Sequence, residues 1–320
     1  MTPTANDRGG SLRCNPPYGG FFHVSRWQWS IERYSRPRRF RRAGRKVQAP
    51  ERPQDLSRST IAQARMVGHP TIKTPRTHMR EPCVIVLRSR LFDLALVLWT
   101  MLFAPGIPVL WLWGSTDATV RLVTRFWARG VLFNLRHIVG LDFVELGKIP
   151  QNNEPHLIIS NHQSTWETIA FLVIFPDVAV IAKQELLDIP VFSWYLKHSP
   201  MIIIDRSSGA KALRTMIEQG CWMSATGRSI LVFPEGSRMP PTQAVRFRRG
   251  IELLYAKLDL PVLPIALNSG LYWGRGDRCR RPGTIKVSRL PSIGPGLAPS
   301  EFLREVEHAI ESEARHLNRR

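Results

Sequence analysis

Between Leu94 and Trp113 the chain reads LALVLWTMLFAPGIPVLWLW, twenty positions without a charge. A helical run of that length reaches about the thickness of a bilayer's hydrocarbon core, so by length alone the stretch points to a membrane. Pro105-Gly106-Ile107-Pro108 interrupts it. Proline removes a helix donor and pushes the preceding residue out of α geometry, which predicts two short helices in place of one span. Arg80, Arg88 and Arg90 precede the run and Arg121, Arg125 and Arg129 follow it. A simple span concentrates positive charge on one flank. Both flanks here read as cytoplasmic, so residues 81–140 are expected to form a membrane-associated two-helix element on the cytoplasmic face of the inner cell membrane.

The segment from Asp117 to Val139 reads as an amphipathic helix. Arg121, Arg125 and Arg129 recur every four residues along one stripe, with Leu122, Phe126, Leu132, Phe133 and Leu135 beside them. Such a helix suits an anionic lipid surface. Packing on the domain that follows, with the arginines solvated, is the competing reading.

Charge separates the first 80 residues from the rest. They hold 17 Lys or Arg against four acids, together with eight prolines, out of 45 basic and 25 acidic residues in the 320-residue chain. With few periodic apolar positions, residues 1–80 cannot bury enough surface to offset the entropy of ordering, and are expected to be a disordered basic arm. The arm lacks aromatic-interleaved recognition modules, so no specific nucleic-acid partner is expected. Cys14, Cys83, Cys221 and Cys279 lie far apart with no CxxC pair. Neither a disulfide framework nor a zinc ribbon is expected, and a reducing compartment fits. The first twenty residues lack the apolar core of a secretory signal.

From about residue 141 the pattern becomes short β-rich runs separated by helical stretches, which assigns 141–320 to an α/β domain with parallel strand pairs. Strands are predicted over 142–146, 156–160, 178–182, 201–204, 229–233, 262–267 and 284–290. Helices are predicted over 165–175, 208–226 and 247–258, with a last one starting near Glu301, capped by Ser300 and helped by Pro299.

Polar groups cluster where these strands end. The run 156–160 leads into Asn161-His162, 178–182 into Lys183, 201–204 into Asp205-Arg206, and 229–233 into Pro234-Glu235-Gly236-Ser237-Arg238. In an open α/β sheet the carboxyl ends of parallel strands form the rim where ligands bind, so residues spread over nearly 80 positions converge. His162 is the natural general base, and Glu167 is the nearest carboxylate able to fix its tautomer. Five helical positions advance about 500°, or about 140° past a full turn, so the two side chains meet only if His162 lies in the turn before the helix. Gly236 lets backbone approach an anion, and Arg238 offers a two-pronged donor. Lys183, Arg206 and Arg238 beside a base point to an anionic substrate.

The blocks NHQSTWE, KQELLDIPVFSWYLKHSPMIIIDR, VFPEGSR with FRRG beginning nine residues after Arg238, and VLPIALNSG occur in this order. In these blocks the chain resembles the glycerolipid acyltransferases, and most of all the bacterial 1-acyl-sn-glycerol-3-phosphate acyltransferases, over about residues 84–315. The resemblance implies a mixed, largely parallel sheet flanked by helices with an N-terminal membrane-associated helical pair. It implies that His162, in an HxxxxD-type block, deprotonates the sn-2 hydroxyl of lysophosphatidate for attack on an acyl thioester. Lys183 and Arg206 would lie near the acceptor phosphate, and Glu235, Gly236, Ser237 and Arg238 would share that role. No metal or bound cofactor is implied; acyl-CoA or acyl carrier protein would be the co-substrate. Glu167 stands where the family pattern has Asp, one methylene longer, and Glu167→Asp is accordingly expected to keep or improve activity. The rival readings are acylation of another lysolipid, such as a lyso-ornithine lipid or a larger-headed lysophospholipid, and a non-catalytic membrane or nucleic-acid tether.

Overall fold

The computed structural model describes residues 83–148, 154–189 and 191–319. The basic arm expected over 1–80 lies outside them. Two helices occupy the apolar stretch, α1 (Cys83–Met101) and α2 (Gly106–Leu112), with the break at Pro105 that the proline pair requires. In α1 only Ser89 and Phe92 are buried, while Leu87, Leu91, Leu94, Leu98 and Met101 face outward. The window of Cys83–Leu112 that is apolar enough to cross a membrane has no residue buried.

Helix α3 (Asp117–Asn134) starts at Thr116, whose Oγ1 accepts from Thr119 N at 3.3 Å. It runs into a single π turn, Leu135–Val139, that ends at left-handed Gly140. Val120, Ala128 and Val131 bury one face of α3 on the domain. Two of the three striped arginines also turn toward the domain. Arg121 pairs with Asp177 at 2.9 Å and Arg125 donates to Val173 O at 3.2 Å, leaving Arg129 exposed. The outward face carries Leu122, Phe126 and Phe133 instead. An apolar surface thus continues from α1 and α2 onto α3.

Seven strands follow the β-branched runs to within a residue or two: β1 (Leu141–Leu146), β2 (Leu157–Ser160), β3 (Ala179–Lys183), β4 (Ile202–Ile204), β5 (Ile230–Val232), β6 (Val262–Leu267) and β7 (Gly283–Arg289). They form one sheet in the order β1-β7-β6-β2-β5-β3-β4. Every neighbouring pair is parallel except β6 and β7. Strands β2, β5 and β6 are buried along their whole lengths, as expected where helices cover both faces of a parallel sheet. Helices α4 (Trp166–Ile174), α6 (Ala210–Ala225), α7 (Gly250–Leu258) and α8 (Pro299–Asn318) connect and cover them. Two apolar clusters result, one under α6, α7 and α8 and one shared by α4, the π turn, α3 and Phe92 of α1.

Two local expectations need correction. Helix α8 begins at Pro299 behind Ala298, and no side chain caps it, so Ser300 lies inside its first turn. Proline at the first position supplies the start on its own, because its missing N–H would be unpaired there anyway. A short helix, α5 (Phe192–His198), stands where no periodic signal marked one. Tertiary contact fixes it: Tyr195 Oη donates to Phe103 O at 3.0 Å, and the Phe192 ring lies tilted against Trp127.

Candidate active site

The sheet order sets the site. Because β5 lies between β2 and β3, the loops leaving β2 and β5 emerge side by side, with Ile159 beside Val232 in register. On the other flank Ser160 registers with Ile265, so the exit of β6 adjoins as well. The turn 161–165 is thereby enclosed by two neighbouring exits, and hydrogen bonds fix it from both. Asn161 donates from Nδ2 to Leu267 O at 2.9 Å and accepts from Leu267 N at 3.0 Å. Gln163 Oε1 accepts from Gly270 N at 3.0 Å, and His162 O accepts from Met239 N at 2.7 Å.

His162 lies in this turn and Glu167 in the first turn of α4, which is the placement the helical-angle argument demands. His162 Nδ1 stands 2.9 Å from Glu167 Oε1, with the imidazole 13% exposed and the carboxylate 0%. Gln163 N and Ser164 N, each at 2.6 Å, donate to the same oxygen, and Ser269 Oγ donates to Oε2 at 2.8 Å. A buried carboxylate is tolerable only when its lone pairs are filled, and here both oxygens are. With Glu167 accepting at Nδ1, the ring's basic nitrogen is Nε2. One face of the ring stacks on Phe233, with ring centroids 4.4 Å apart, which limits rotation.

The β5 exit supplies the remaining groups. Glu235 is buried and accepts from His162 N through Oε1 at 2.8 Å. Burial pushes its carboxyl up to about 7, against the amide's pull downward and with the Glu167 charge adding to the rise. Through this bond it holds the turn that carries His162. Gly236 has φ +74, a left-handed geometry that only glycine adopts without strain. Arg206, on the β4 exit, reaches across to donate to Gly236 O. Arg238 Nη1 donates to Thr165 Oγ1 at 2.6 Å, which puts its guanidinium at the His162 turn. Ser237 Oγ contacts Met239 Sδ at 3.4 Å.

Hydrogen bonds thus join Glu235, His162 and Glu167 directly, while Arg206 is held on Gly236 and Arg238 on Thr165 at the adjoining loops. Lys183 stands apart from them, half exposed at the end of β3 and paired with Glu185. Three contributors carry no role in the sequence reading: Asn161, Ser269 and Arg248. Ser269 lies in the quoted VLPIALNSG block, where a hydroxyl just past a strand exit is the available signal. Arg248 lies in FRRG.

The site is a fixed imidazole–carboxylate pair beside arginines at the strand exits of an α/β sheet, and a family model described as Acyltransferase matches residues 141–268. A 1-acyl-sn-glycerol-3-phosphate acyltransferase of Pseudomonas aeruginosa is 38% identical over 180 residues, covering 56% of this chain and 68% of that protein. The chain belongs to this family. The alpha enzyme of the same name from Mus musculus is 30% identical over 152 residues, covering 46% of this chain and 53% of its own length. The crystal structure of the 1-acyl-sn-glycerophosphate (LPA) acyltransferase PlsC from Thermotoga maritima shares the fold, with a TM-score of 0.53 at 23% identity over 72% of this chain and 98% of that one.

Proposed function

We infer that the protein transfers an acyl group from a thioester to the sn-2 hydroxyl of lysophosphatidate, giving phosphatidate for phospholipid synthesis. The observation that carries this is the His162–Glu167 pair, held from both sides at the rim of the sheet in a member of this family. His162 Nε2 takes the hydroxyl proton as the oxygen attacks the thioester carbonyl. Glu167 holds the tautomer and stabilises the imidazolium that forms. The tetrahedral intermediate collapses by breaking the C–S bond, and the proton on Nε2 passes to the departing thiolate. Alcohol and thioester become ester and thiol, and neither step calls for a metal or a bound cofactor.

The acceptor's phosphate falls to the arginines of the rim. Arg206 is anchored on Gly236 at the β5 exit and Arg238 on Thr165 of the His162 turn. Lys183 lies one strand further out and would act at longer range. A lysolipid meets the protein at a membrane surface, and the outward apolar face of α1, α2 and α3 is the seat for it, on the cytoplasmic side where thioesters are made. Acyl-CoA or acyl carrier protein, both anionic, arrives from the aqueous side toward a chain of formal charge +20.

The test is thioester release with defined acceptors. Wild-type protein should acylate lysophosphatidate and His162→Ala should lose activity by about 100-fold or more, the usual contribution of a positioned base. Turnover retained in His162→Ala removes it as the base. Equal rates on lysophosphatidate and on a lysolipid without phosphate would reassign the acceptor.

A further inference from the structure

Arg248 enters the site from a loop that the catalytic reading does not use. Its backbone N–H donates to Pro234 O at 3.1 Å, which folds the FRRG segment back over the β5 exit. A Cβ built on Gly236 would stand 2.6 Å from Arg248 Nε and 2.9 Å from its Cζ, so the guanidinium lies directly against the glycine. Arg206 donates to the carbonyl of that same glycine. Two guanidinium groups from separate loops therefore converge on one residue.

Other arginines of the molecule have carboxylate partners: Arg121 with Asp177, Arg214 with Glu218, Arg280 with Asp93 and Arg315 with Glu311. Among the described residues no ion pair is made by Arg206 or Arg248. Like charges placed together repel, and for Arg206 the Glu185 carboxylate offsets the Arg248 charge only in part. Burial, and after it the Arg248 charge, hold Arg206 below the ordinary arginine value. Arg238 donates to the Thr165 side chain and Lys183 pairs with Glu185, so neither faces a second guanidinium at Gly236. An anion with several acceptor oxygens relieves this repulsion and accepts forked bonds from both groups.

We propose that Arg248 joins Arg206 at Gly236 to complete a clamp for the phosphate monoester of the acceptor, with Arg248 the residue that sets preference for a phosphate head group. This rests on the lysophosphatidate reading above. It gives Gly236 a second reason to be glycine, because any side chain there displaces the Arg248 guanidinium. The open position of Arg248 suits a head group delivered from a lipid surface.

The experiment uses the full chain in detergent micelles. KM is measured separately for lysophosphatidate and acyl-CoA, and thermal unfolding is followed with and without inorganic phosphate at constant ionic strength. Arg248→Ala should raise the lysophosphatidate KM about tenfold, the loss of a charge-assisted hydrogen bond, and leave the acyl-CoA KM unchanged. Arg248→Lys should recover part of the loss. Arg249→Ala, which removes the same charge from the next exposed residue, should move neither constant. Phosphate should raise the unfolding temperature of wild type more than that of Arg248→Ala. An equal rise in both KM values overturns the clamp, and a rise for acyl-CoA alone moves it to the donor's phosphates and overturns the acceptor assignment. Should wild type ignore lysophosphatidate yet keep an Arg248-dependent phosphate stabilisation, the acceptor reading fails and the anion clamp stands. Equal phosphate stabilisation in wild type and Arg248→Ala ends the clamp whatever the acceptor is.

Discussion

Glu167 shows how far one methylene matters. The sequence reading treats it as a longer aspartate, for which Glu167→Asp should be neutral or beneficial. In the structure its two oxygens accept from His162 Nδ1, from the backbone N–H groups of Gln163 and Ser164, and from Ser269 Oγ. A side chain about 1.5 Å shorter cannot keep all four without moving the turn, and that turn is fixed by Asn161, Gln163 and Glu235. Glu167→Asp should therefore lower kcat, by about tenfold for one mispositioned charge-assisted bond, with little change in KM. Steady-state kinetics decides it, and a variant as fast as wild type would mean that the turn follows the shorter side chain. Glu235 provides a second residue-scale test, through pH. Its folded value of about 7 lies above the 4.5 of an unperturbed glutamate, so the native state holds a proton that the unfolded state has lost between these two values. Stability contributed by this group is full below about pH 4.5 and declines as pH rises to about 7, after which it is constant. Glu235→Gln keeps an acceptor for His162 N but removes the titration. The difference in melting temperature between wild type and Glu235→Gln should change across pH 4.5 to 7 and level off above; a difference constant with pH contradicts the buried-acid assignment.

At the scale of elements, the strands were legible because β-branched runs bounded by turns need little context, and all seven occur where the pattern places them. The contact between His162 and Glu167 was legible for a related reason: helical geometry alone restricts how residues five apart can meet. Helix α5 was hidden, being seven residues with no repeat, held by Tyr195 on Phe103 of the α1–α2 turn and by Phe192 against Trp127 of α3. The Arg121–Arg129 stripe misdirected attention, since periodicity reports that a helix has two faces but not which one meets protein. What joins α1 to α3 is equally invisible in the pattern. A Cβ on Gly130 would fall 2.2 Å from the Trp99 ring, and Trp99 Nε1 donates to Trp127 O at 2.9 Å. Gly130→Ala gains up to about 1 kcal/mol of helix propensity. It also forces an indole off its hydrogen bond and out of a closely packed contact, a cost of about 1–3 kcal/mol. The packing term wins, so Gly130→Ala should lower the unfolding temperature by several degrees and alter Trp fluorescence, whereas a raised temperature would show that Trp99 swings clear without loss.

For the whole molecule, local pattern says nothing about which strands become neighbours. The insertion of β7, antiparallel to β6, between β1 and β6 follows from long-range pairing, and so does the placement of β5 that brings its exit beside the His162 turn. Arg248 was unassigned for the same reason: its role depends on a loop folding back over a distant glycine. The apolar helices obey the opposite logic, because their exposure is what the unbroken lack of charge foretells. A water-soluble protein leaves few large apolar side chains uncovered in one place, yet Leu98 is 61% exposed and Trp111 70%, with Leu94, Met101, Leu102 and Leu112 also exposed in the same helix pair. Fully burying one such side chain is worth about 1.5–3 kcal/mol, so two of them account for a large part of a reversible membrane affinity. Leu98→Glu combined with Trp111→Glu should therefore leave the melting temperature in detergent near that of wild type, since neither side chain supports the domain core. The same protein should fail to float with anionic phospholipid vesicles that carry wild type to the top of a density gradient. Flotation as complete as that of wild type would place the lipid contact elsewhere on the chain and detach the apolar helices from membrane binding.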